Sequence, residues 1–102
     1  MHYIDVILPV PLQKLFTYSI TEAEASFLKV GMRVAVPFGK SKIYTALVHH
    51  IHNEKPLSYD AKEIHQILDE EPIVNTQQLT FWSWIASYYL CTLGDVMRAA
   101  LP

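Results

Sequence analysis

The apolar pattern of this chain changes period once, and that change constrains the fold more than any other feature. From Tyr3 to Leu68 the apolar residues come in short strings, many of them β-branched, cut by Pro and Gly. From Asn75 onward they fall three and four residues apart. Alternation marks a strand, and spacing near 3.6 residues marks a helix. Tyr3–Leu8 reads as a first strand, ended by Pro9 and Pro11, which cannot donate to a ladder. Phe16–Ile20 reads as a second. Thr21–Lys29 is acidic and Ala-rich, and reads as a loop or one helical turn. Val30-Gly31 signals a turn. Met32–Val36 reads as a third strand with Met32, Val34 and Val36 on one face. Phe38–Lys42 is a tight loop. Ile43–His52 is the longest strand, with Ile43, Leu47 and Ile51 alternating against Tyr44, Ala46 and Val48. Asn53–Ala61 is a polar loop, and Lys62–Leu68 is a short fifth strand. Such a run of short strands divided by turn signals predicts a small curled, β-barrel-like sheet.

Asp69-Glu70-Glu71-Pro72 ends the strands and reads as a solvated turn. Asn75 followed by Gln78 has the form of a capping box. Leu79, Trp82, Ile85, Ala86 and Tyr89 then share one helix face. Phe81, Trp84 and Tyr88 make a second apolar stripe, which predicts a helix buried on two sides. Gly94 breaks the pattern, and Asp95–Leu101 reads as a second short helix. The predicted class is α+β: a curled sheet of about five strands over residues 3–68, then a helical segment over 75–101. A chain of 102 residues is one domain, 1–102. Its stop at Ala99-Ala100-Leu101-Pro102, straight after an apolar segment, is that of a domain cut from a longer protein.

Composition narrows the function. Apolar residues make up 51% and charged residues 18%, which excludes disorder. Eight basic against ten acidic residues leave a net charge of −2, so the chain is no strong non-specific coater of DNA. A nucleic-acid end held in a pocket remains compatible with that charge. The single cysteine, Cys91, excludes an internal disulfide and fits a reducing cytoplasm. The N-terminus has no signal-peptide pattern, and no apolar stretch reaches the length of a membrane span.

Few residues point to catalysis. His49, His50 and His52 lie together, but no Cys or second His pair completes a zinc ligand set, so surface or sheet-edge histidines are expected. Cys91 has apolar neighbours and no evident base. There is no Walker A string. Phe81, Trp82, Trp84 and Tyr88 offer a base-stacking platform in principle, yet their helical spacing favours core packing. What remains is a pair of strand-to-turn strings, Val6–Leu12 with Phe16-Thr17-Tyr18, and Val30–Val36 with Pro37-Phe38-Gly39-Lys40. Each opens into a turn carrying an aromatic, a combination able to form a small pocket for one nucleotide.

These strings, in their order, resemble the N-terminal DNA-binding domain of the PriA family of bacterial replication-restart helicases. The resemblance runs through Ile67–Pro72, Trp84–Tyr89, Leu93–Val96 and Ala100–Pro102, and so covers essentially the whole chain. It implies a domain that binds the 3′ end of the nascent leading strand at a stalled fork, in a pocket at Phe16, Thr17, Gly39 and Lys62. An aromatic wall at Phe16 suits a terminal base or sugar. Gly39 lets backbone approach the nucleotide, and Lys62 can neutralise a nearby phosphate. Thr17 departs from the family's pattern, in which Asp follows the Phe. Thr17→Asp is therefore expected to tighten binding to a 3′-OH end, because a carboxylate accepts hydrogen bonds more strongly than a hydroxyl. The partners implied are DNA with a free 3′-OH and forked DNA. Through a full-length protein they extend to single-strand-binding protein and primosome proteins. No catalysis and no cofactor are expected of this fragment. ATP and zinc are implied only for a full-length 3′→5′ helicase, and the compartment implied is the cytoplasm, with no membrane partner. The alternative is a protein-interaction domain docking on the helicase core or on a primosome partner. A small hydrolase or metal enzyme fits worst.

Overall fold

The computed structural model describes residues 1–101; the last residue of the predicted domain, Pro102, lies outside them. Eight elements follow one another: β1 (His2–Ile7), β2 (Phe16–Ile20), α1 (Glu22–Phe27), β3 (Arg33–Phe38), β4 (Lys42–His52), β5 (Gln66–Ile67), α2 (Thr76–Tyr89) and α3 (Leu93–Ala100). The strands form one antiparallel sheet in the order β2-β1-β4-β3-β5. The class is α+β, as the change of period predicts.

Period-two alternation sends the two sides of the sheet into two cores. Ile4 and Val6 of β1, Tyr18 and Ile20 of β2, Val34 and Val36 of β3, and Ala46 and Val48 of β4 are buried on the concave side, with Met32 just before β3. Ile7 and Leu47 point the other way, into a second core with Val74, Leu79 and Trp82 and with Val96 and Met97 of α3. α2 and α3 therefore cover the convex side, whereas Ala25 of α1 packs against the concave core. β4 carries one extra residue: Asp5 of β1 faces His50, but Val6 faces Val48, which leaves His49 as a β-bulge. The bulge shifts the phase of the strand. Ile51, which strict alternation groups with Leu47, packs instead against the concave core.

The sheet curls without closing. Tyr18 on the edge strand β2 donates its hydroxyl to the Pro37 carbonyl of β3 at 2.7 Å, although β1 and β4 separate those strands in the sheet. The segment after the 53–61 loop spans the remaining gap. Ser19 of β2 donates its N–H to the Lys62 carbonyl at 2.8 Å, and three residues later His65 donates to Ala35 of β3 at 2.7 Å. Only Gln66–Ile67 of the predicted fifth strand is regular, because the rest of 62–68 is a strap between the two edges.

All three helices begin with reciprocal capping boxes, at Thr21–Glu24, Asn75–Gln78 and Thr92–Asp95. The first settles Thr21–Lys29 as a short helix. α3 starts one residue before Gly94, and a Cβ at Gly94 would collide with the Leu8 and Val10 carbonyls. That glycine lets the helix abut the end of β1.

Two expectations change. Phe81, Trp84 and Tyr88 are not buried; they are 57%, 57% and 66% exposed and stack on one another along α2, with Tyr89 beside them. α2 is seated through the buried Leu79 and Trp82, flanked by Ile85 and Ala86, and its other apolar stripe faces outward. Asp69 is not solvated either. Its carboxylate accepts from the Arg33 backbone N–H at 2.8 Å and from Nε and Nη2 of the same guanidinium at 3.0 and 2.8 Å. That bidentate pair holds the Asp69 carboxyl below the usual range and latches the 66–69 segment to β3.

Candidate nucleic-acid interface

Curling the sheet brings the start of β2 beside the end of β3. A cleft of about 230 Å³ opens there, lined by Phe16, Thr17 and Tyr18, by Pro37, Phe38 and Gly39, and by Tyr59, Asp60 and Lys62. All four positions implied by the family resemblance, Phe16, Thr17, Gly39 and Lys62, meet in this one cleft although they come from three separate stretches of the chain.

Each is placed by local structure. Phe16 opens β2 and packs edge-on against Phe38 at 5.2 Å between ring centres, and Phe38 leans on Tyr44 at 5.8 Å. These rings are partly buried against the concave core, so the aromatic wall is braced from behind. Gly39 sits in the turn between β3 and β4 at φ +73°, a conformation that side chains disfavour. A Cβ there would meet nothing within 4 Å, so the turn leaves open space beside its backbone. Lys62 is fixed by its own carbonyl, which accepts from Ser19 of β2 and leaves the side chain exposed.

Thr17 is the most connected. Its N–H points out of the sheet edge and donates to the Tyr59 hydroxyl at 2.9 Å. Its hydroxyl donates to Asp5 Oδ1, directly across β1, at 2.6 Å. His52 Nε2 lies 2.8 Å from the same oxygen. The Glu54 N–H donates to His52 Nδ1 at 3.0 Å, which makes Nε2 the ring nitrogen that carries the hydrogen toward Asp5. The family's carboxylate is thus absent from position 17, yet a carboxylate stands against it from the neighbouring strand. Tyr18, below, is buried, and burial, with Tyr59 nearby, pushes its phenol up to about 12.

The charge around the cleft is uneven. Arg33 and Lys29 are paired with Asp69 and Glu71, whereas no carboxylate of the described residues engages Lys14, Lys40, Lys42 or Lys62. Asp60 is the acid on the lining, nearly wholly exposed and 4.0 Å from Lys55. A larger groove of about 350 Å³ runs between residues 7–15 and the α2–α3 junction. Its walls are mostly apolar, and Lys14 at its rim is the one charged group lining it. The smaller cleft holds the aromatic, glycine and lysine groups. The histidines do not form a site: no group of three or more His, Cys, Asp or Glu among the described residues is placed to hold a metal. His49 at the bulge is half-buried, and burial, with His50 beside it, lowers its pKa against the opposing pull of Asp5.

Tyr59 and Asp60, which line the cleft, and Lys14, beside the Phe16 and Tyr59 rings, were not legible in the sequence. Tyr59 and Asp60 belong to a polar loop without periodicity, and only that loop's path brings them to Phe16; Lys14 lies two residues before Phe16, in a turn whose side-chain direction no pattern announces.

An α+β fold that brings aromatic and lysine side chains to a cleft at a sheet edge has the make-up of a small ligand-binding module. Comparison with known proteins is specific. A model of the 3′ DNA-binding domain (3′BD) of PriA matches residues 5–102, and the chain belongs to that family. It is 38% identical over 103 residues to replication restart protein PriA of Haemophilus influenzae, a match covering 100% of this chain and 14% of that protein. It is 32% identical over 104 residues to the PriA of Treponema pallidum, with 98% and 16% covered. It is 30% identical over 106 residues to that of Bacillus subtilis, with 100% and 13% covered. The chain thus spans roughly one-seventh of the length of these relatives.

Proposed function

We propose that this domain binds the 3′-terminal nucleotide of a nascent DNA strand and so serves replication restart at stalled forks. The observation that carries the reading is the convergence of Phe16, Thr17, Gly39 and Lys62 in one cleft of about 230 Å³. That space is on the order of one nucleotide and far too small for a duplex, whose major groove alone is about 12 Å wide. Phe16 gives a face for the terminal base or sugar. The open turn at Gly39 gives backbone groups, and Lys62 meets the phosphate. A continuing strand or a 3′-phosphate adds bulk and negative charge where the cleft ends. Exclusion of that kind yields specificity without a basic surface, in keeping with the net charge of −2. The reading assigns binding to these residues and no bond-making step. In a longer protein it extends to an ATP-driven, zinc-containing helicase core, single-strand-binding protein and primosome partners.

The test is fluorescence anisotropy with two short single strands identical except for a 3′-OH or a 3′-phosphate. A preference of about tenfold or more for the hydroxyl, lost in Phe16→Ala, supports the reading. Equal binding to both reduces it to ordinary backbone contact. One observation favours a second, compatible reading, docking on a helicase core or primosome partner: the exposed Phe81, Trp84 and Tyr88 stripe lies on α2, which contributes nothing to the cleft. Phe16 and Lys62 variants that lose DNA but keep partner binding separate the two.

A further inference from the structure

Lys14 is unlike the other free lysines. Its ammonium lies 5.3 Å from the ring centre of Phe16 and 5.8 Å from that of Tyr59, within cation–π range of both. The Tyr59 ring is itself held, because its hydroxyl accepts the N–H of Thr17 in β2. A side chain that is ordinarily free in solvent is therefore confined at the mouth of the cleft. No carboxylate of the described residues engages it, so its three N–H donors remain available. Lys14 also lines the groove beside residues 7–15.

We infer that Lys14 is a second phosphate-binding cation of this site. It takes the second phosphodiester from the 3′ end while Lys62 takes the first, and Tyr59 is its positioning residue. The inference rests on the end-binding reading above. It gives the cleft a direction: the strand enters past the β1–β2 connection, and its 3′ end lies toward the turn at Gly39.

The experiment uses the 102-residue chain and a 5′-labelled DNA decamer with a 3′-OH. It is repeated with a neutral methylphosphonate at the first or the second linkage from the 3′ end. Lys14→Ala is expected to weaken binding of the unmodified decamer about three- to tenfold at low salt. Neutralising the second linkage costs the wild type a similar factor, and the two losses together do not add. Neutralising the first linkage couples in the same way to Lys62→Ala and not to Lys14→Ala. Tyr59→Phe, which keeps the ring but loses the bond from the Thr17 N–H that holds it, falls between wild type and Tyr59→Ala. Tyr59→Ala falls toward Lys14→Ala. Unchanged binding by Lys14→Ala, or additive losses at the second linkage, overturns the inference while a first-linkage coupling to Lys62 leaves the end-binding reading intact. Equal wild-type binding to 3′-OH and 3′-phosphate decamers overturns both.

Discussion

At position 17 the threonine hydroxyl is already engaged, donating to Asp5 at 2.6 Å. This changes what the family's aspartate would do here. Thr17→Asp alone sets two carboxylates side by side, and one must protonate or turn away. The expected result is no gain in affinity for a 3′-OH end and a loss of stability. The double variant Asp5→Asn/Thr17→Asp removes the repulsion and is expected to bind more tightly than wild type, as read by anisotropy. Tyr18 supplies a second prediction at this scale. Its phenol is pushed up to about 12 from an ordinary value of 10.0 by burial. A group whose pKa is raised on folding contributes stability that is fully present below the unfolded value and is lost as pH rises through the folded one. Between pH 10 and 12, denaturant titrations should therefore show wild type losing stability more steeply than Tyr18→Phe. At neutral pH Tyr18→Phe is the less stable by about 1 kcal/mol, the net worth of the bond to the Pro37 carbonyl. Nothing in the sequence marks Asp5 as the partner of Thr17, because that contact depends on the register of β1 with β2.

Among the elements, α2 shows how far periodicity reaches. Its start was legible from Asn75 and Gln78, and the capping box is present with both bonds at 2.8 Å. Its buried face was legible only in part. Trp82 is 6% exposed and Trp84 is 57% exposed, although both lie in one apolar run. Trp82→Ala is expected to cost about 3–5 kcal/mol and Trp84→Ala to stay within about 0.5 kcal/mol, measured by urea unfolding. Spacing assigns residues to faces, but what covers a face depends on the neighbouring elements. The Arg33–Asp69 latch belongs to the same scale. Asp69→Asn is expected to cost about 1–2 kcal/mol, discounted because the Arg33 side chain is 42% exposed. The Asp69 carboxyl is lowered in the folded protein. Its contribution is present above the ordinary carboxylate range and is lost as pH falls through the folded value, so wild type and Asp69→Asn should converge in acid.

For the whole molecule the decisive property is curl. An open sheet in the order β2-β1-β4-β3-β5 would hold Phe16 and Phe38 three strands apart; here their rings are 5.2 Å apart. The same curl lets a chain of net charge −2 set the unpaired Lys62 on the cleft and bring Tyr59 beside Lys14. With only one or two phosphates met, log K should fall with log salt at a slope of about −0.7 to −1.4, far shallower than for a protein that coats DNA. A slope of −4 or steeper in a salt series would contradict a cleft that grips only the strand's end. Strand number, the α+β order and the caps were local matters, written in alternation, in Pro and Gly punctuation and in side chains that bond three residues away. Even the four candidate residues became visible only through family resemblance, since each alone reads as an ordinary core or turn residue. The tertiary structure alone decided the bulge at His49, the strap of 62–68, the exposure of the α2 stripe and the company of Tyr59 and Asp5 around Thr17. Those depend on register and on how a twisted sheet folds back on itself, and such contacts join residues as distant as Thr17 and Tyr59, 42 positions apart, that carry no short-range pattern to announce them.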